Sequence, residues 1–275
     1  MPLILSLRTP LDLSVEVESL HPANLRTLSS DAVARLPVAQ GNRTLSVGEL
    51  FDIERTGDDD VLVLRGDTGR LKRIGEGLES GSVIVEGPAG MHVGARMRGG
   101  QIVVRGTADD WAGAEMRGGR LTIQGDAGNC LGAGYRGSRK GMRGGEIFVH
   151  GHAGCEVGTS LRRGLIAVAG DVGHACGFAM LAGSIVVFGR TALQLGAGMK
   201  RGTIVCLEST SPPELLPTFR HAVDYQPTFL RGLLLHLRRA QFAVTSEHLE
   251  GCYRRFCGDL LELGRGEILA RMPTT

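Results

Sequence analysis

The fold is decided by residues 94–106, which read Gly-Ala-Arg-Met-Arg-Gly-Gly-Gln-Ile-Val-Val-Arg-Gly and return at 113–125 as Gly-Ala-Glu-Met-Arg-Gly-Gly-Arg-Leu-Thr-Ile-Gln-Gly. The glycine that closes each copy marks a repeat through the middle of the chain. Successive closing positions are 21, 19, 19, 26, 19, 19 and 19 residues apart, at Gly66, Gly87, Gly106, Gly125, Gly151, Gly170, Gly189 and Glu208. The chain therefore holds seven copies of a 19-residue unit, with two extra residues in the first copy and seven in the fourth.

Each unit repeats the same columns of apolar residues and glycines. The position four before the closing residue is always aliphatic, and the position six before it is always glycine. Apolar and polar residues alternate with a period of two, which indicates strands, and glycine suits tight corners. One unit cannot bury its apolar side alone, whereas stacked units can. The pattern predicts an all-β solenoid, a glycine-rich β-helix of about seven 19-residue rungs, each with two short strands and two glycine turns.

Composition excludes several classes of protein. Glycine accounts for 42 of 275 residues, but without the strict Gly-X-Y period of collagen. A net charge of +2 and an aromatic content of 4 % argue against a nucleic-acid binder. No apolar run is long enough to span a membrane, and the six cysteines form no Cys-X-X-Cys pair. We therefore expect a cytoplasmic protein that binds neither nucleic acid nor membrane.

The sequence divides into three regions. Residues 1–60 predict a mixed N-terminal cap with a strand at 11–17 and a short helix at 30–36. Residues 61–208 form the glycine-rich β-helix. Residues 209–275 lose the glycine pattern and predict a helical C-terminal tail that covers the open end of the solenoid or docks on another subunit. Its helices are predicted at 229–237 and, by spacing, through Leu249, Tyr253, Phe256, Leu260 and Leu261.

The seven-residue insertion in the fourth unit is the first candidate for a functional site. Insertions in a repeat protein form loops on one face, often the binding face. Here the loop spans residues 134–143 and is basic. The interpretation as a ligand or partner site competes with that of a tolerated insertion, and its candidate residues are Tyr135, Arg136, Ser138, Arg139, Lys140 and Arg143.

A column of basic residues eight before each closing position is the second candidate. Its members are Arg98, Arg117, Arg143, Arg162 and Lys200, with Leu181 as an interruption. Like charges one rung apart repel each other, so the column is either solvated, paired with carboxylates or turned toward an acidic partner or polycarboxylate ligand. Arginine suits carboxylates because its planar fork donates two parallel hydrogen bonds.

The chain offers no arrangement of residues for catalysis. It lacks a G-x-S-x-G elbow, a P-loop and an H-E-x-x-H metal motif. His150 and His152 flank the corner at Gly151, so we interpret them as surface residues rather than as metal ligands. We expect no catalytic residue, no metal site and no cofactor in this chain.

Residues 135–145, Tyr-Arg-Gly-Ser-Arg-Lys-Gly-Met-Arg-Gly-Gly, resemble the C subunit of formylmethanofuran dehydrogenase, as does the phrase Gly-X-X-Met-Arg-Gly-Gly-X-Ile-X-Val-X-Gly. The repeat, about half of the chain, is also similar to the C-terminal domain of glutamate synthase large subunits. Two members of the family compete. One is the archaeal tungsten or molybdenum dehydrogenase. The other is the formyltransferase/hydrolase complex of methylotrophic bacteria, which the preference for arginine over lysine favours.

The resemblance implies a scaffold or carrier-binding component of a complex that converts formyl-tetrahydromethanopterin to formate through a methanofuran-type carrier, in formaldehyde oxidation. It implies partner subunits A, B and D, with zinc in the first, which is amidohydrolase-like, and formyl transfer in the last. We then expect the loop and the basic column to contact these subunits or the carboxylate-rich tail of the carrier. The alternatives are the C subunit of an archaeal-type dehydrogenase and a stand-alone glutamate-synthase-like binding module.

Overall fold

The computed structural model describes residues 2–55 and 60–273, and its fold is mostly β-sheet with few helices, which confirms the all-β class. The helices are α1 (Pro22–Leu25), α2 (Ser30–Ala34), α3 (Val47–Leu50), α4 (Thr228–Arg239) and α5 (Ser246–Glu250), and a 3-10 turn spans Thr68–Arg70. The strands are β1 (Leu3–Leu7), β2 (Val15–Glu16), β3 (Pro37–Gln40), β4 (Arg43–Ser46), β5 (Phe51–Arg55), β6 (Val61–Arg65), β7 (Leu71–Lys72), β8 (Ser82–Val85), β9 (Gln101–Val104), β10 (Arg120–Ile123), β11 (Arg143–Val149), β12 (Arg163–Val168), β13 (Ser184–Val187), β14 (Arg201–Cys206), β15 (Arg220–Tyr225), β16 (Tyr253–Gly258) and β17 (Arg265–Arg271).

One sheet of 13 strands carries the repeat, in the order β15-β16-β17-β14-β13-β12-β11-β10-β9-β8-β6-β1-β5. Consecutive units pair in parallel and in register, so that Ile102 lies beside Leu121 and Leu121 beside Ile147. The second of these pairs spans the insertion, which therefore leaves the ladder intact. The aliphatic column four before each closing position is fully buried, as predicted.

The prediction of two strands in each unit was wrong, because each unit within the described residues 61–208 forms one paired strand of the main sheet and a turn side. Val93, Ala95 and Met97 are buried as expected. However, the residues between and before them have left-handed backbones, with φ values of 69° at His92, 63° at Gly94 and 55° at Arg96. A period of two in burial arises here from alternating left-handed residues rather than from strand pleating. On this side of each unit the ladder is reduced to single bridging residues, such as Ala89 with Ala108.

Gly113 shows why the repeat needs glycine at one corner. Its φ is 62°, and a Cβ atom there would lie 2.5 Å from Cδ1 of Ile147, a core residue of the next unit. Any side chain would therefore meet both a strained backbone and an occupied interior. The corner glycines let the turn lie directly on the aliphatic column.

The N-terminal region joins the main sheet at one end. Strand β1 pairs in parallel with β6 and antiparallel with β5. The predicted helix at 30–36 is observed as α2, whose first turn is capped by the Ser29 hydroxyl accepting a hydrogen bond from Ala32 N at 3.2 Å. The strand predicted at 11–17 was too long, because the observed strand β2 spans only Val15–Glu16, between β3 and β7.

The C-terminal region contains the predicted helix but is not a helical tail. Helix α4 covers residues 228–239, in agreement with the prediction for 229–237. The helix expected through Tyr253 and Phe256 was wrong, because β16 pairs with β17 and β17 extends the parallel sheet, with Ile268 beside Ile204. Backbone pairing at the open end of the stack outweighs the local spacing of the apolar residues. No helix in the described ranges is long and apolar enough to cross a bilayer.

Helix α4 closes one outer face of the sheet. Its buried residues Leu230, Leu234 and Leu237 pack against the outward residues of β11 to β14, such as Phe148 and Val186. At its edge, the His236 ring lies 2.7 Å from a carboxylate oxygen of Glu146. Helix α4 therefore covers the part of this face that β11 to β14 form.

Candidate binding grooves and the insertion loop

The insertion loop is built around a tight turn. Ser138 N donates to the carbonyl oxygen of Tyr135 at 2.8 Å, and Gly137 takes a φ of 84°. This is the position at which a type II turn needs a left-handed residue. The ends of the loop are tied to the next unit, where Gly134 N and Gly141 N each donate at 3.0 Å to the carbonyl oxygens of Thr159 and Ser160.

Tyr135 leaves the loop toward the preceding units. Its hydroxyl lies 3.1 Å from Nδ1 of His92, and its ring stacks on Trp111 with the centroids 5.1 Å apart. The guanidinium carbon of Arg96 lies 5.2 Å from the centre of the Tyr135 ring. We call His92, Arg96, Trp111 and Tyr135 the aromatic anchor.

Charges surrounding the anchor are paired with one another. Arg96 forms ion pairs of 3.2 Å with Glu76 and 3.6 Å with Glu115. Burial, with Glu76 nearby, raises the pKa of Tyr135 to about 12. Burial, with the positive charge of Arg73, lowers the pKa of His92, so the hydrogen bond at neutral pH joins a phenol and a neutral imidazole.

The opposite end of the loop, at Arg139, faces a groove across the following units. This groove has a volume of about 530 Å³ and is lined by Arg139, Ser160, Arg162, Phe178, Ala179, Leu181, Gly198, Lys200 and Glu262. A second groove of about 420 Å³ is lined by Arg143, Arg162, Arg163, Leu181 and Ala182. Arg162 and Leu181 line both, so the two adjoin, and we call them together the basic groove.

Positive charge is in excess in the basic groove. Four arginines and one lysine line it, against the single carboxylate of Glu262, which pairs with Lys200 at 3.3 Å. Arg143 and Arg163 lie side by side on β11 and β12, where like charges repel. The Nε atoms of Arg143 and Arg162 are buried without a hydrogen-bond partner. Unpartnered buried donors and crowded cations favour a bound anion, and arginine forks select carboxylates or phosphates.

The structure brings only part of the predicted set together. Arg139, Arg143 and Arg162 line the basic groove, whereas Tyr135 lies in the aromatic anchor. Arg98 lies outside the groove and forms a 2.7 Å ion pair with Glu79. The remaining predicted residues do not line the basic groove, and these are Arg117, Arg136, Ser138 and Lys140.

Sequence reasoning missed Arg163, Trp111 and His92. Arg163 occupies a position that is glycine in the three units before it, at Gly99, Gly118 and Gly144, so this interruption could have been recognised in the sequence. Trp111 is the single tryptophan of the chain and lies 19 residues after His92 in the same column. Neither ring forms part of a sequence motif, and their meeting with Tyr135 depends on the path of the insertion loop.

Within residues 2–55 and 60–273, no three His, Cys, Asp or Glu side chains are grouped so that they could hold a metal ion. Glu146 and His236 form an acid–base contact, which joins α4 to the sheet. The charges that line the basic groove suit the binding of anions.

Comparisons with known proteins identify relatives of the chain, although no family model matches it. The C subunit of the tungsten-containing formylmethanofuran dehydrogenase 2 of Methanococcus maripaludis is 36 % identical over 93 residues, which are 34 % of either chain. The C subunit of the Fhc formyltransferase/hydrolase complex of Methylorubrum extorquens is 37 % identical over 89 residues, 32 % of this chain and 33 % of the relative. The crystal structure of the FhcABCD complex of that organism with methylofuran contains a chain that matches 99 % of this one and is itself covered completely, with 33 % identity and a TM-score of 0.87. The chain belongs to the C-subunit family of formylmethanofuran dehydrogenases.

The curated members of this C-subunit family match this chain over only part of their length. The alignments span about a third of this chain and between a quarter and a third of those relatives, with 24 % for the C subunit of the molybdenum-containing dehydrogenase 1 of Methanothermobacter marburgensis. The structural match extends the likeness beyond the repeat, since it includes both terminal regions.

Proposed function

We propose that this chain is the non-catalytic C subunit of a formyltransferase/hydrolase complex that converts formyl-tetrahydromethanopterin to formate through a methanofuran-type carrier. The observation that carries the proposal is a match over 99 % of the chain to a component of a complex solved with methylofuran, combined with a groove lined by four arginines. A carrier with a carboxylate-rich tail is the chemical complement of such a groove. The one-carbon chemistry itself belongs to other subunits.

The stack of units serves as the scaffold in this proposal. We propose that the parallel units coil as a β-solenoid over residues 61–208, with residues 1–60 and 209–275 closing its two ends. Parallel pairing with a 19-residue register supports this architecture, because each unit must return to the same face before the next begins. The solenoid presents the insertion loop and the basic groove from one rigid body.

The basic groove is the surface that we propose for the carboxylate tail. Its arginines come from consecutive units about 4.8 Å apart, so an extended polycarboxylate can meet one guanidinium after another. The unpartnered Nε atoms of Arg143 and Arg162 are donors that a carboxylate would satisfy. Leu181 and Phe178 give the groove an apolar wall, which lowers the local dielectric and strengthens each pair.

The proposed partners are subunits A, B and D of the complex. We propose that zinc is held by the amidohydrolase-like partner. The exposed side chains of Leu260, Leu261 and Leu263 follow β16 close to the basic groove and suit contact with another protein of the complex.

A second candidate is the C subunit of an archaeal-type formylmethanofuran dehydrogenase. It is favoured by the curated relatives, of which the tungsten- and molybdenum-containing enzymes are as similar to the aligned third of this chain as the Fhc protein. Metal analysis of the purified complex separates the two. Zinc without tungsten or molybdenum supports the hydrolase complex, and tungsten or molybdenum supports the dehydrogenase.

The groove is tested by titrating the purified full-length protein with a glutamate-rich peptide free of aromatic residues, by calorimetry at low salt. One charge-assisted hydrogen bond contributes about 1.5–3 kcal/mol, so Arg162→Gln is expected to weaken binding roughly ten- to a hundredfold. Arg98→Gln is the matched control, because it removes the same charge from the same column outside the groove. Equal losses of affinity in the two variants would show that the peptide binds only through nonspecific electrostatic attraction. Absence of binding to the unaltered protein would overturn the proposed role of the groove.

A further inference from the structure

The aromatic anchor has no role in the function proposed above, although it holds one end of the loop that lines the groove. Tyr135 contacts three residues from two earlier units, namely His92, Arg96 and Trp111. Arg139, four residues further along, lines the basic groove beside Ser160 and Lys200 in later units. The loop therefore connects earlier and later units, because Tyr135 contacts units that precede the loop and Arg139 lines a groove formed by units that follow it.

We propose that Tyr135 is a positioning residue for ligand binding, which holds Arg139 over the basic groove by locking the first residue of the loop into the aromatic anchor. This inference rests on the function proposed for the groove and adds the contact that positions Arg139 in it. The ligand class stays the same, a polycarboxylate chain.

The location of Trp111 and His92 supports a dedicated anchor. They occupy the same position in consecutive units, where the repeat imposes a left-handed backbone in every unit, with φ values of 65° at Trp111 and 69° at His92. Both rings lie against the ring of Tyr135, with centroid distances of 5.1 Å for Trp111 and 5.6 Å for His92. Tyr135 itself is held on its ring, by Trp111 and Arg96, and at its hydroxyl, by His92.

The rest of the loop explains why an anchor is needed. Between Gly134 and Gly141, which are bonded to the next unit, the side chains of Arg136, Arg139 and Lys140 are exposed. Their mutual repulsion and the freedom of the backbone favour many loop conformations over one. With Tyr135 fixed, the turn closed by Ser138 follows immediately, and Arg139 comes next in the chain.

When only a fraction of the molecules hold the loop in the binding-competent conformation, the apparent affinity falls to that fraction of its intrinsic value. A loop that is ordered before binding avoids this loss. Replacing Tyr135 by alanine removes the stack and the hydrogen bond while leaving every residue of the groove in place. If about one molecule in ten then keeps the loop in position, the apparent affinity for the glutamate-rich peptide falls about tenfold. Tyr135→Phe keeps the stack on Trp111 and is expected to restore most of that affinity.

A double-variant cycle distinguishes positioning from general destabilisation. If Tyr135 acts through Arg139, Tyr135→Ala is expected to weaken binding about tenfold in the unaltered protein and hardly at all once Arg139→Gln is present. Equal losses in both backgrounds would overturn the inference. Leu13→Ala, at an exposed residue distant in sequence from the loop, serves as the control for a substitution without effect on binding.

The emission of Trp111 provides an independent readout, because the chain has one tryptophan. Tyr135→Ala is expected to shift this emission to longer wavelength, whereas Tyr135→Phe and Arg139→Gln leave it unchanged. If Tyr135→Ala removes the stack on Trp111 and the affinity for the peptide stays unchanged, the positioning role of Tyr135 is refuted and the proposed role of the groove is not affected. Absence of peptide binding in the unaltered protein would instead refute the proposed function.

Discussion

Substitution of Gly113 by alanine tests how tightly the units are stacked. The added Cβ would lie 2.5 Å from Cδ1 of Ile147, and 3.3 and 3.4 Å from Cγ1 of Ile147 and Cδ2 of Leu121. These are residues of the buried aliphatic column. Gly77 is the matched control, because its φ of 72° is similar but a Cβ atom there would meet nothing within 4 Å.

The expected magnitudes follow from two separable costs. A left-handed backbone disfavours alanine by about 1–2 kcal/mol, and the reduced freedom of the unfolded chain returns about 0.4–1 kcal/mol. Gly77→Ala should therefore lower the free energy of unfolding by about 1 kcal/mol. Gly113→Ala adds overpacking of about 1–3 kcal/mol, for a total of about 2–4 kcal/mol.

The assay is urea unfolding of the purified protein followed by circular dichroism, with the slope of the transition compared between variants. Ile147→Val removes the Cδ1 atom that the new Cβ would meet, so it should relieve Gly113→Ala in the double variant, with a loss smaller than the sum of the two single losses. Similar losses at Gly113 and Gly77, or strict additivity with Ile147→Val, would refute the close packing of this corner on the next unit.

Two further predictions concern stability. Asp259 is buried, which opposes ionisation, but hydrogen bonds from Leu261 N at 3.0 Å and Gly198 N at 3.1 Å outweigh burial and lower its pKa. A carboxyl group whose pKa is lower in the folded state stabilises the protein at pH values above its unfolded pKa of about 3.9, and this stabilisation is lost as the pH falls through the folded pKa. Asp259→Asn should therefore lower the free energy of unfolding by about 1 kcal/mol at pH 7 and by little in acid, as measured by unfolding at both pH values. A loss that does not depend on pH would contradict this. Gln194 is exposed and has a φ of 65°, a backbone conformation that is strained for residues other than glycine. Gln194→Gly should therefore leave the melting temperature unchanged or raise it, whereas Gln194→Ala should not raise it. The reverse order in a thermal melt would contradict this backbone strain.

The repeat was predictable from the sequence because equivalent residues of consecutive units pair with each other in the sheet. Aligning the units in the sequence therefore also aligns the paired strands. Once the closing glycines were aligned, the partners of Ile102 and Leu121 in the sheet followed, and the insertion could be recognised as a loop. The conformation of the turn side was not predictable in this way. Alternate burial of Val93 and Ala95 is common to a strand and to a chain of left-handed turns, and the polar residues between them, His92 and Arg96, do not reveal the φ values that they adopt.

The C-terminal region was mispredicted because its partners are distant in sequence. Tyr253 and Phe256 are spaced as on a helix, yet their strand is specified by pairing with β17, which itself pairs with β14 about 60 residues earlier. Local patterns do not report such pairing. By contrast, α4 was predictable, since its apolar residues Leu230, Leu234 and Leu237 all face the sheet.

The candidate site was half visible in the sequence. The basic column and the insertion identified Arg139, Arg143 and Arg162, which the structure brings to one groove. The division of the loop into a basic end and an aromatic end depends on the direction in which each side chain leaves the loop. That direction is set by the turn at Gly137 and the bonds at Gly134 and Gly141, which are features of the folded chain.

Purification of the tagged protein from its native host, followed by mass spectrometry and metal analysis of everything that accompanies it, tests the central claim most directly. Amidohydrolase-like and formyltransferase-like proteins are expected in fixed ratio with this chain, together with zinc and without tungsten or molybdenum. Recovery of this chain alone, with no such partners, would contradict its assignment as the scaffold of a formyltransferase/hydrolase complex.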